Sequence, residues 1–154
     1  MRIIRKHSVM KQVEFLLSSH RYGIHLITSE ILSGVGILPQ TGVLHLFIKH
    51  TSAGILISEM DPETESDLKT FLSDLVTPQK NKETTFGVSQ SKTGDSAEEK
   101  ESRSRSRIKA SLVGQCLTIP ITNSQLNMGS QQGIYLCECK HFIGKRKIVA
   151  TIIS

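Results

Sequence analysis

The chain has 154 residues, long enough for one domain with a buried core. The hydrophobic content is 38% and the formal net charge is +5, which permits a phosphate-like partner but gives no reason to expect nucleic acid. No apolar run approaches the roughly 20 residues of a membrane span. The three cysteines match neither a closed disulfide framework nor a paired Cys-x-x-Cys zinc site. We therefore expect no membrane segment and a reducing, cytoplasmic environment.

The first part of the chain predicts a strand, a helix and a second strand. Residues 9–17 mix β-branched and polar side chains, which is typical of a strand. From 24 to 38 apolar residues recur at helical spacing, with Thr28 or Ser29 as the N-cap. Residues 42–50 form a continuous apolar run, which favours a strand buried on both faces.

A further short strand at 54–58 leads into a capped helix. Asp61 is an acidic N-cap candidate, Pro62 suits the first helical position, and more acids follow in the first turn. The apolar stripe expected to pack this helix on the core consists of Leu68, Phe71, Leu72 and Leu75.

A long polar stretch interrupts the second half of the domain at about 77–104. It has too few apolar side chains to offset the entropy of ordering, so it predicts a disordered insertion. The stretch runs into an alternating Ser-Arg tract at 102–107, which is either a regulated interaction segment or simply a solvated one. One or two helical turns are expected at 108–113.

The last third of the chain predicts strands at 116–121, 134–139 and 147–153, with a turn at Asn123 and Ser124. Short strands with two or three helices inserted between them favour an α+β fold, in a single domain with mostly antiparallel sheets.

His50 is the foremost candidate for chemistry. Strand alternation places it on the same face as Leu44, Leu46 and Ile48, at the end of a buried row. A half-buried histidine there could titrate near neutrality or bind a metal. The alternative is a histidine at the edge of the core that is hydrogen-bonded to Thr51 or to the backbone.

Three carboxylates and one turn are weaker candidates. Glu59 ends a predicted strand without an evident structural role, whereas Asp61 is explained as a helix cap. Glu138 lies between two cysteines on a strand, where a solvated position is expected. The polar turn from Gly129 to Gly133 could present backbone amides to an anion, or be an ordinary connection.

Several blocks together resemble the YjbQ-type family, the secondary thiamine-phosphate synthase enzymes. The blocks are residues 42–53 with Glu59, Asp61 and Pro62, then 108–112, 117–123, 133–138 and 146–151. The resemblance implies a compact α+β domain, assembly as a homotrimer, a histidine cluster able to hold a divalent metal, and weak thiamine-phosphate synthase activity.

The chain departs from the family pattern at the implied metal site. His50 is present, but no histidine lies near Phe86, and Arg107 occupies the position of a third histidine. The segment from Gly129 to Gly133 keeps both glycines and Gln132 without the family's tryptophan. Because arginine is permanently charged and binds anions through a planar fork of donors, the change disfavours a metal and favours phosphate.

These observations predict an enzyme-type site for a phosphorylated small molecule at a trimer interface. His50 is expected to act as acid or base, with Glu59 orienting it. The residues expected to contact the ligand are Thr51, Ser52, Arg107, Lys109, Gly129, Gln132, Gly133 and Glu138. A bound metal would be contacted by His50 and Asp61. The alternatives are a non-catalytic family member with a degenerate metal site, or an interaction module regulated by the 77–104 loop.

Overall fold

The computed structural model describes residues 9–76, 97–141 and 144–154, which contain eight strands and three helices. The elements in chain order are β1 Met10–Leu16, β2 Gly23–Leu26, α1 Thr28–Val35, β3 Thr41–Ile48, β4 Ala53–Glu59, α2 Pro62–Leu75, α3 Ala97–Val113, β5 Cys116–Thr122, β6 Gln125–Leu126, β7 Gln132–Glu138 and β8 Lys147–Ile153. The predicted α+β class is confirmed.

All strand pairs are antiparallel, and they form two sheets. The larger sheet has the order β1-β8-β3-β5-β6 and the smaller one β2-β7-β4. The two sheets and α1 enclose the main core, which includes Leu46, Ile148, Ile55 and Leu136.

The opposite face of β7 packs on helices α2 and α3. Tyr135, Cys137 and Cys139 point to this side, against Ala110 of α3 and the half-buried Leu72 of α2. Strand β7 is therefore buried on both faces. Its side chains point alternately into the main core and toward the two helices.

Two of the predicted elements differ from the structure. Residues 24–26 pair with β7 as strand β2, and α1 starts only at Thr28, whose hydroxyl accepts from the amide of Ile134 instead of capping the helix. The prediction that β3 is buried on both faces is wrong, since Val43 and Phe47 are 37% and 42% exposed.

Helix α3 is longer than the predicted turn or two. It begins at Ala97, so the last residues of the stretch expected to be disordered are helical. The remainder, residues 77–96, lies outside the described residues. In the described part of the chain, no helix is long and apolar enough to cross a membrane.

Candidate functional site

One end of the core is closed by three side chains from different parts of the chain. His50 lies in the turn between β3 and β4, Glu138 is the last residue of β7, and Arg146 directly precedes β8. The pairing of Ala53 with Glu138 and of Ile48 with Ile148 brings these three segments together.

Glu138 and Arg146 form a buried, two-point ion pair. The guanidinium Nε donates to Oε2 at 2.6 Å and Nη2 donates to Oε1 at 2.7 Å, and the two residues are only 1% and 5% exposed. The backbone amide of Lys140 donates to Oε1 as well. The expectation that Glu138 is solvated is therefore wrong, because its side chain points between the sheets and not into water.

His50 faces two hydrogen-bond donors. Its Nδ1 lies 3.1 Å from Nη1 of Arg146, and its Nε2 lies 3.1 Å from the backbone nitrogen of Lys147. A neutral imidazole has one lone pair, so it accepts from only one of these donors, and its own N–H points at the other. Burial, and then the positive charge of Arg146, lower the pKa of His50.

An open cleft of about 400 Å³ runs past the imidazole ring. The residues that line it are Phe47, Ile48, Lys49, His50, Thr51 and Gln115. Glu14 is paired with Lys49 at 3.0 Å and with Lys147 at 2.9 Å. Among these described groups, with Arg146 and Glu138 included, three are cations and two are carboxylates, which leaves one positive charge in excess.

The other predicted carboxylates lie at the far end of β4. Glu59 pairs in register with Gln132, six residues along the strand from the pairing of Ala53 with Glu138. At strand spacing this separates Glu59 from the His50 end by roughly 20 Å. Within one chain, Glu59 does not orient His50.

At that end of β4, several polar groups already form hydrogen bonds with nearby residues. Asp61 accepts from the amide of Thr64 at 2.8 Å and caps α2, which confirms the predicted cap. The amide of Gly129 donates to the side chain of Gln132 at 2.8 Å, so it already has an acceptor. A side chain at Gly133 would collide with Leu26, which gives this glycine a packing role.

The remaining predicted ligand residues do not form one site. Thr51 lines the cleft, and the carbonyl of Ser52 accepts from the amide of Cys139. Lys109 donates to the hydroxyl of Tyr22 at 3.1 Å on the helix side of β7. Arg107 is exposed on α3 and is not among the described residues that line the cleft.

The described residues do not fit the divalent metal that the family resemblance implies. They contain no group of three or more His, Cys, Asp or Glu side chains placed to hold a metal. His50 and Asp61 lie at opposite ends of β4, and Nδ1 of His50 faces a guanidinium. A cation at that nitrogen would meet the charge of Arg146 directly.

Sequence reasoning assigned no role to Arg146. The sequence does not single out Arg146 as a partner of Glu138, because Lys145, Arg146 and Lys147 are equivalent as a basic run. The available signal was Glu138, because an acid inside an otherwise apolar strand needs a buried partner.

Comparison with known proteins identifies the family. Residues 13–154 match the family described as UPF0047 protein YjbQ-like. The chain belongs to the YjbQ family. It is 32% identical to UPF0047 protein YjbQ of Escherichia coli O157:H7 over 144 residues, covering 92% of this chain and 96% of that protein. The Salmonella typhimurium YjbQ protein is 34% identical over 139 residues, covering 88% and 92%.

Solved YjbQ structures share the fold. A YbjQ-like protein of unknown function from Sulfolobus solfataricus superposes with a TM-score of 0.74 at 19% identity, over 96% of this chain and 99% of that one. A YjbQ/UPF0047 family protein from Clostridium acetobutylicum gives a TM-score of 0.62 at 26% identity, over 94% and 98%. Membership in the YjbQ family thus accounts for the fold.

Proposed function

We propose that this YjbQ protein binds a small phosphorylated molecule in the cleft beside His50, and that the uncharged His50 accepts a proton from it. The observation that supports this most is the position of the imidazole N–H, which points at a donor whichever nitrogen carries it. Once the ring turns toward the cleft, a phosphate oxygen there would give that N–H an acceptor.

The surrounding charges favour an anion over a cation. Lys49 and Thr51 line the same cleft as His50, and Arg146 is held in place by the buried carboxylate of Glu138. A guanidinium fixed in this way is preorganised to stabilise negative charge that develops during a reaction. The lowered pKa of His50 keeps the ring neutral near pH 7, as a proton acceptor requires.

The enzymatic form of the proposal is a transferase of the thiamine-phosphate synthase type. Both substrates of such a reaction carry phosphate, which matches the charge of the cleft. The second candidate is a non-catalytic binding protein. It is favoured by the contacts of His50, whose two ring nitrogens face protein donors, so that the ring must turn before it can reach a substrate proton.

Calorimetric titration with inorganic pyrophosphate tests the binding site. His50→Ala should weaken binding about tenfold or more, since a hydrogen bond to a charged group contributes about 1.5–3 kcal/mol. His45→Ala is the matched control, because His45 lies on β3, just before the turn that holds His50, and bonds to Thr118 outside the cleft. No binding by the unmodified protein, or equal loss in both variants, would contradict the proposal.

An assay for thiamine phosphate formation separates the two candidates. Turnover that is lost in His50→Ala and kept in His45→Ala supports the transferase. Pyrophosphate binding without turnover supports the non-catalytic alternative.

We further propose that the protein forms a homotrimer in the reducing cytoplasm. Helices α2 and α3 leave large apolar side chains exposed, as expected of surfaces that another subunit covers. The exposed residues are Phe71, Leu75, Ile108 and Leu112. Its three cysteines are free thiols, which suits that compartment.

A further inference from the structure

Two thiols lie in contact on the helix side of β7. The Sγ atoms of Cys137 and Cys139 are 3.5 Å apart, and the residues are only 4% and 6% exposed. They share a face because they are two residues apart on an extended chain. The third cysteine, Cys116, is exposed on β5.

A small, half-open cavity gives access to this pair. It is lined by both cysteines together with residues that include Tyr22, Lys69 and Lys109. Its volume of about 10 Å³ is near the minimum that holds one water molecule. An opening of this size favours small reagents such as hydrogen peroxide over larger electrophiles.

The surroundings distinguish the two sulfurs. A hydrogen bond from Cys137 lowers the pKa of Cys139, and the ammonium of Lys109 acts in the same direction. The same contact and burial raise the pKa of Cys137. Cys139 is thus the thiol that ionises first, with a protonated partner beside it.

We propose that Cys137 and Cys139 form an oxidation site that a small peroxide converts into an intramolecular disulfide. The Cys139 thiolate attacks one oxygen of hydrogen peroxide, the O–O bond breaks, and sulfenic acid and hydroxide form. The sulfur of Cys137 then attacks the sulfenic sulfur and displaces the oxygen as water, while hydroxide takes up the remaining proton. Two thiols and one peroxide give one disulfide and two waters.

The position of the pair makes this disulfide reversible. The Cα atoms of residues i and i+2 on an extended strand are roughly 6.6 Å apart, near the upper limit for a disulfide. Cys139 directly follows the last residue of β7, so a bend there leaves the strand pairs of β7 in place and breaks the hydrogen bond from the amide of Cys139 to the carbonyl of Ser52. A strained disulfide at this place is easily reduced by cellular thiols.

Disulfide formation would also affect the His50 end of the core. Glu138 lies between the two cysteines, and its carboxylate holds Arg146, which in turn faces His50. A bend at residues 137–139 displaces that carboxylate. The NMR signals of the His50 ring should therefore shift on oxidation, whether or not the cleft binds phosphate.

The test uses full-length protein with Cys116→Ser, so that the only thiols are the proposed pair. After mild treatment with hydrogen peroxide, intact-mass spectrometry should show loss of two hydrogens, and alkylation should find no free thiol where untreated protein has two. Dithiothreitol should restore both thiols. Circular dichroism before and after treatment checks that the fold persists.

Removing one partner gives the control. Cys116→Ser with Cys137→Ser leaves Cys139 alone, so peroxide should add oxygen to it instead of removing hydrogen. Sulfinic acids, disulfide-linked dimers or two persistent thiols in the Cys116→Ser protein would each overturn the proposal.

Discussion

At the scale of single residues, the site depends on how Glu138 holds Arg146. The carboxylate fixes the guanidinium through two short hydrogen bonds in a buried setting, and the remaining Nη1 points at His50. The orientation of His50 and its neutral state both follow from this arrangement, since burial and the charge of Arg146 lower the pKa of the ring.

Glu138→Gln should therefore destabilise the protein strongly. Removing one partner of a buried ion pair leaves the other charge uncompensated, which typically costs about 3–5 kcal/mol. Urea unfolding measures the change. Glu14→Gln is the control, because Glu14 pairs with Lys49 and Lys147 at the surface and its loss should barely move the midpoint. Equal effects of the two substitutions would show that the buried pair does not stabilise this end of the core.

The sequence points to His50 but not to the residues that surround it, and the reason is physical. His50 was recognised because its strand and the apolar row before it are local features. Its contacts with Arg146 and Lys147 join positions nearly a hundred residues apart. Strand periodicity gives the face of a side chain but not its partner across the sheet, so Arg146 could not be identified as the partner of Glu138.

At the scale of elements, helix α2 shows which features the sequence determines locally. Its start follows from Asp61 and Pro62, and the structure has the cap and the first residue where they were expected. Strand β2 shows the opposite case. Residues 24–26 fit the helical spacing, but pairing with the buried strand β7 outweighs that weak preference.

Asp61→Ala should lower the free energy of unfolding by about 1 kcal/mol, because it removes an N-cap. The side chain accepts from both the amide and the hydroxyl of Thr64. Asp67→Ala, an exposed position within the same helix, is the matched control and should have a smaller effect. A loss of stability that occurs only when a divalent metal is present would instead point to a metal ligand at Asp61.

At the scale of the whole molecule, the two sheets place the predicted ligand residues at opposite ends of β4. Glu59 and Gln132 lie at one end, and His50 and Glu138 lie at the other. Along the sequence, one member of each pair lies next to β4. Only the structure shows that the two pairs lie at opposite ends of that strand within one chain. A second subunit could bring the two groups together, which connects the site to the proposed trimer.

Light scattering during gel filtration should give a mass of three chains. Phe71→Glu or Leu112→Glu should reduce that mass, because a charge on the exposed apolar surface of α2 or α3 opposes burial between subunits. Ile37→Glu is the control, since Ile37 is 91% exposed and lies outside both helices. A mass of one chain for the unmodified protein would contradict the trimer.

His50 should be neutral, held by Arg146 and able to bind an anion. NMR titration of the histidine ring nitrogens against pH, with and without saturating inorganic pyrophosphate, tests it most directly. Without pyrophosphate, the pKa of His50 should lie below its usual value of about 6.5, because burial and Arg146 disfavour the charged ring. Pyrophosphate should raise that pKa, since its negative charge stabilises the imidazolium, and should leave the His45 signals unchanged. A pKa of His50 at or above the usual value, or one that does not respond to pyrophosphate, would contradict the account.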